Sequence, residues 1–135
     1  MLRISFSYAA DFTFVSMADS RGDVNGINKP VLDKLVGFAR NANPAFVLFS
    51  GDIVTGSKDM NVFDAEVNAF ANALKPLTDI CMIYNTFGNH ESLSLLHQEH
   101  LVNKLGNPVT SSGISSLNTK LTLVFAAVNL FIIRS

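Results

Sequence analysis

The chain has 135 residues, enough for one domain with a real core and no second one. With 48% hydrophobic residues, 16% charged residues and a formal net charge of -1, it is excluded from the disordered chains and lacks the basic surplus of a nucleic-acid binder, so no specific nucleic-acid partner is expected. Its single cysteine, Cys81, has no partner for an internal disulfide and lies in an apolar run, which reads as core.

At the N-terminus Arg3 is present, but Asp11 interrupts too early for the apolar segment of a signal peptide and no small-residue cleavage site follows, so a non-secreted, cytoplasmic chain is expected. Residues 12–17 alternate as a strand and lead into a loop rich in Gly, Asp and Asn. A helix is expected to open near Asn28 with Pro30 in its first turn and Val31, Leu32, Leu35, Val36 and Ala39 as its buried stripe. After Pro44, residues 45–49 are continuously apolar, as in a strand covered on both faces, and the loop 51–56 follows. A second helix is expected over 61–74, where Phe63, Val67, Phe70 and Leu74 share one face, with Pro76 just beyond its end.

Residues 80–84 read as a third strand. A third helix is expected over 93–105, stopped by Gly106 in a left-handed cap. Residues 107–118 read as a polar loop. The closing apolar run, 121–133, contains Thr122 and Asn129 and is shorter than the roughly 20 residues of a spanning helix, so a buried strand is expected and no membrane partner. The eleven phenylalanines, among them Phe14, Phe46, Phe49, Phe63 and Phe70, mostly fall on buried faces and are explained by a core. The β-α-β-α-β-α-β order makes parallel pairing with right-handed crossovers the economical topology.

Three strand ends carry candidate chemistry. Asp19 follows the first strand, Asp52 in Gly51-Asp52-Ile53-Val54-Thr55-Gly56 follows the second, and Asn89 in Gly88-Asn89-His90-Glu91 follows the third. They are 33 and 37 residues apart, about one strand-helix-strand unit, so parallel strands would bring them to one sheet edge, where open α/β sheets place their ligands. Carboxylates and an amide oxygen suit hard divalent cations, and a neighbouring histidine adds a ligand or a proton carrier. Two metals become plausible, with Asp52 on the middle strand as the bridge, in a centre that generates hydroxide and clamps a phosphoryl oxygen. Taken singly, Asp19 reads as a loop or cap residue, Asp52 as an Asx turn and Asn89-His90 as a polar turn. The joint pattern carries the argument.

These motifs resemble the calcineurin-like metallophosphoesterases, whose first signatures, in order after successive strands, are Asp-x-His, a Gly-Asp stretch closed by glycine, and Gly-Asn-His-[Asp/Glu]. The second and third are present at Gly51-Asp52 with Gly56 and at Gly88-Asn89-His90-Glu91. The resemblance implies the layered α/β/β/α sandwich of that superfamily, here its N-terminal half across residues 1–135. It implies a dinuclear Mn, Fe or Zn centre on Asp19, Asp52 and Asn89, with a metal-bridging hydroxide as nucleophile on a phosphoester substrate. His90 would protonate the leaving oxygen and Glu91 would orient it, with Asn89 and His90 also contacting substrate.

The chain departs from the pattern at Arg21, which stands where the first signature has histidine. Arginine cannot ligate a cation, and would instead hold a substrate phosphate through its forked donors, leaving the first metal one ligand short. The later histidine signatures are also absent, since no histidine follows His100. His97 and His100 could share a helix face but lie a helix away from the expected edge. The alternative reading is therefore a truncated, catalytically inactive metal- or phosphate-binding chain whose final strand, lacking neighbours, could self-associate.

Overall fold

A computed structural model describes residues 12–106 and 131–134; the expectations for Arg3, Asp11, the loop 107–118 and most of the run 121–133 lie outside them. Five strands and three helices follow in the order β1 (Thr13–Met17), β2 (Arg21–Val24), α1 (Lys29–Asn41), β3 (Phe46–Phe49), α2 (Met60–Thr78), β4 (Met82–Asn85), α3 (Leu95–Leu105) and β5 (Phe131–Arg134). The sheet runs β4-β3-β1-β5. β1 pairs with β3, and β3 with β4, in parallel, so the carboxyl ends of the three motif-bearing strands share one edge of the sheet.

The last strand differs from the parallel expectation: β5 runs antiparallel to β1. α3 packs on α2, where His100 Nε2 meets Asp64 Oδ1 at 2.8 Å and Lys104 Nζ reaches the same oxygen at 3.0 Å. β5 has β1 as its neighbour on one side and forms one edge of the described sheet.

The register sets the two sheet faces. Val15, Met17, Val47 and Phe49 point to the helices and join Leu32, Val36, Phe63, Val67, Phe70 and Leu77 in one core, with Phe49 and Phe70 edge to face at 5.0 Å. The other face carries Phe14 stacked on Phe46 at 5.2 Å, with Phe12 and Tyr84 against Phe46. The both-face burial expected for the second strand is met on the helix side, at Val47 and Phe49, whereas Phe46 and Leu48 on the other face are half-buried.

The helices keep the expected periodicity with shifted ends. α1 buries Leu32, Val36 and Ala39 under a first turn containing Pro30, whereas Val31 is exposed. α2 is capped by Asp59, whose carboxylate accepts from Asn61 N at 2.9 Å, and it runs through Pro76 instead of stopping before it. Proline removes one helical hydrogen bond, but the fully buried Leu77 continues the apolar stripe of Ala73 and Leu74 and carries the helix one turn further. α3 begins two residues later than expected because the Ser94 hydroxyl caps His97 N; Gly106, at φ 70, ends it as expected. β4 starts at Met82 and not Ile80, and Cys81, read as core from the sequence, is half-buried with its thiol on the Leu77 carbonyl at 3.6 Å. Burial pushes that thiol's pKa up. Among the described residues no helix is long and apolar enough to cross a membrane.

Candidate metal and phosphoester site

Met17, Phe49 and Asn85 are level across β1, β3 and β4, so the residues that follow them begin from one line. Asp19 lies two residues beyond, Asp52 three and Asn89 four. Backbone bonds hold the three exits together: Ser50 N donates to Met17 O at 2.9 Å, Asp19 N to Gly51 O at 3.2 Å and Thr86 N to Phe49 O at 2.8 Å. Asp19 (φ 56) and Asp52 (φ 50) both adopt the left-handed backbone, which aspartate tolerates better than most residues. The 51–56 and 88–91 segments pass at backbone contact: a Cβ on Gly51 would lie 2.4 Å from Gly88 N, and one on Gly88 would lie 2.1 Å from Asp52 Oδ1. Only glycine at both positions permits that approach.

Glu91 locks the crossing. Its side chain is fully buried, with Oε2 accepting from Gly88 N at 2.8 Å and Asp52 N at 2.9 Å and Oε1 from Val54 N at 3.2 Å. Burial pushes its pKa up, against the opposing pull of the backbone amides of Val54, Gly88, Asp52 and Ile53. The His90 ring meets the Thr55 carbonyl, 2.6 Å from Nδ1, while the Glu91 carboxylate bonds the loop backbone and not the ring.

A carbonyl only accepts, so His90 Nδ1 carries the proton and Nε2 presents its lone pair. Arg21 Nη1 donates to that Nε2, and Arg21 Nε donates to Asp19 Oδ1 at 2.7 Å. His90 N also donates to Asp52 Oδ1 at 3.3 Å. The result is a continuous chain, Asp19 to Arg21 to His90 to Thr55, spanning the exits of all three strands. Arg21 is held there by its own segment, read from the sequence as loop but folded as β2: Gly22 N donates to Gly26 O at 3.2 Å, and Thr55 Oγ1 donates to Gly22 O at 2.8 Å.

The oxygen donors fit a hard cation unevenly. Asp52 and the exposed Asn89 stand at adjacent strand ends, and among the described residues the Asn89 side chain makes no hydrogen bond. Asn85, buried at the end of β4 on the helix side of the sheet, has an Oδ1 without a hydrogen-bond partner, which buried polar atoms rarely tolerate. Asp19 is different, because its carboxylate is paired with Arg21. Among the described residues no group of three or more His, Cys, Asp or Glu side chains is placed to hold a metal. Asp52 and Asn89 are thus the two of the three oxygen donors whose side chains have no cationic partner among the described residues.

His97 and His100 serve the α2-α3 contact. His97 is buried, accepts from Ser94 Oγ at 2.7 Å, donates from Nε2 to Ser57 O at 3.0 Å and packs edge-on against Phe63 at 4.7 Å. Three contributors escaped the sequence reading: Thr55 through its carbonyl, Asn85, and Ser20, whose buried hydroxyl donates to Ile53 O at 2.7 Å. Asn85 alone had a signal, a polar residue closing an apolar strand.

Comparison with curated proteins and with solved structures gave no match. The family described as calcineurin-like phosphoesterase matches residues 22–132, a span that includes Asp52 and the 88–91 motif and begins just after Asp19 and Arg21. With most of its length inside that match, the chain belongs to the calcineurin-like phosphoesterase family.

Proposed function

We propose that this chain hydrolyses a phosphoester at the strand-end edge, with Asp52 and Asn89 holding a divalent cation and Asp19, Arg21 and His90 completing the site. The observation that carries the reading is the convergence of Asp52, Asn89, His90 and Arg21 at the carboxyl edge of three parallel strands, where α/β sheets bind ligands. A bound divalent cation would supply Lewis acidity toward a phosphoryl oxygen and acidify a coordinated water.

The protein's own groups divide the remaining work. Asp52 supplies negative charge at the centre of the edge, and its position is fixed by Glu91 through the Asp52 amide. Arg21 uses only part of its five-donor fork on Asp19 and His90, leaving N–H groups for phosphate oxygens. His90 keeps Nδ1–H on the Thr55 carbonyl, so the proton it can exchange is at Nε2. Once Arg21 turns to the phosphate, the freed Nε2 would take up a proton from solvent and donate it to the leaving oxygen as the ester P–O bond breaks, while the water that adds to phosphorus loses its proton to solvent.

A second reading, anion or cation binding without turnover, draws support from Arg21, which sits on the very nitrogen that would donate the proton. Hydrolysis of aryl and alkyl phosphoesters, measured with Mn²⁺ and after chelation, separates the two. The hydrolase reading expects turnover that chelation removes. It also expects His90→Ala to lose about 10²-fold or more on esters with poor leaving groups and much less on activated aryl esters. Binding of phosphate with no turnover on any ester would support the second reading, and equal losses on both ester types would take the proton-donor role from His90.

A further inference from the structure

The two-cation centre expected from the sequence meets an obstacle that the structure makes specific. Asp19, the oxygen donor beyond the end of β1, is already paired with a positive charge. Arg21 Nε lies 2.7 Å from Asp19 Oδ1, and the same guanidinium donates through Nη1 to His90 Nε2. The Asp19 oxygen is the donor a metal ion at this end of the edge would need, and it is already taken.

The segment that presents the guanidinium is fixed by the fold. Asn28 N donates to Ser20 O at 2.7 Å, so the segment carrying Arg21 is tied at its base to the start of α1. Gly22 lies with its α-carbon pressed on the Ile27-Asn28 backbone, where an added Cβ would come within 2.6 Å of Asn28 N. Thr55 Oγ1 then clips the Gly22 carbonyl at 2.8 Å, and the carbonyl of the same Thr55 holds the His90 ring. One residue of the 51–56 loop thus fixes both ends of the Arg21-His90 contact.

Arginine stays protonated at any ordinary pH and offers no lone pair, so it can neutralise Asp19 but never share it as a metal ligand. A divalent ion placed against Asp19 would have to displace a tethered guanidinium and sit close to its charge. We propose that Arg21 is a built-in cation that takes the place of one metal ion, so that the chain binds a single divalent cation at Asp52 and Asn89 and none at Asp19. This deepens the reading of the same edge as a cation-dependent site, yet its test does not depend on turnover.

The test is the stoichiometry of Mn²⁺ binding to the full chain, by titration calorimetry and by counting bound Mn²⁺ after dialysis. Arg21→His removes the resident charge and presents an imidazole, a group that ligates Mn²⁺, beside Asp19 and His90. The expected result is one bound Mn²⁺ more in Arg21→His than in the wild type. The same number in both proteins, or two Mn²⁺ in the wild type, overturns the proposal. Arg21→Gln guards against a folding artefact, since it removes charge without adding a strong ligand. It should tighten Mn²⁺ binding at least tenfold, and unchanged or weaker binding counts against the proposal. A chain that hydrolyses nothing but shows the extra ion in Arg21→His would keep this inference and sink the hydrolase reading; a chain that turns over with two ions in the wild type would do the reverse.

Discussion

Glu91 and Arg21 lie on the same sheet edge and differ in what they touch. Glu91 is wholly buried and spends both oxygens on backbone amides of the 51–56 and 88–91 segments. Arg21 and Asp19 remain 41% and 28% exposed, and their bonds run between side chains. A buried acid that satisfies three amides fixes where the loops lie, while an exposed chain of charges can exchange partners. Two charged residues of one sheet edge thus separate into a scaffold and an exposed surface, and the separation follows from burial.

Substitutions should reproduce that difference in order of size. Glu91→Ala strands the Asp52, Val54 and Gly88 amides inside the protein and should cost about 3 to 5 kcal/mol, read as a large fall in the urea midpoint. A loss below about 1 kcal/mol would mean the loops stand without it. Gly88→Ala should come next, at about 1 to 3 kcal/mol, because its Cβ would meet Asp52 Oδ1 and N. Mn²⁺ affinity should fall with it, since Asp52 must move.

Arg21→Ala should leave stability within about 1 kcal/mol, as for other exposed pairs, while changing cation and phosphate binding. A loss as large as that of Glu91→Ala would erase the contrast. The smallest effect belongs to Asp64, far from the site. Lys104, and then His100, hold its carboxyl below the ordinary value of 3.8. A depressed carboxylate pKa contributes stability that is present above the unfolded value and lost as pH falls through the folded one, so the urea midpoint should drop on acidification below about 4. Asp64→Asn should flatten that limb slightly.

The sequence made the strand-helix-strand order and the shared edge readable because apolar periodicity and motif spacing are local signals. The placement of Asp19, Asp52 and Asn89 at that edge was legible for that reason. Three features were not. Pro76 ends a helix by local rule, but Leu77 burial overrides the rule here. The antiparallel pairing of β5 with β1 is a tertiary choice of direction that the apolar pattern of one strand does not state. The Arg21-His90 contact joins residues 69 positions apart, and the Thr55 carbonyl that orients His90 belongs to a backbone whose side-chain identity is irrelevant. Glu91 was legible as a motif member but not as a buried lock, because burial is a property of the assembled loops.

The most direct test of the site is Asp52→Asn, measured for Mn²⁺-dependent phosphoester turnover and for urea stability on the same preparation. Asparagine keeps an oxygen for the His90 amide and tolerates the left-handed backbone, so the fold should stand within about 1 kcal/mol. Loss of Mn²⁺ binding and turnover in a stable protein is the result expected if Asp52 is the centre of a cation-dependent phosphoester site. Turnover equal to wild type would contradict it.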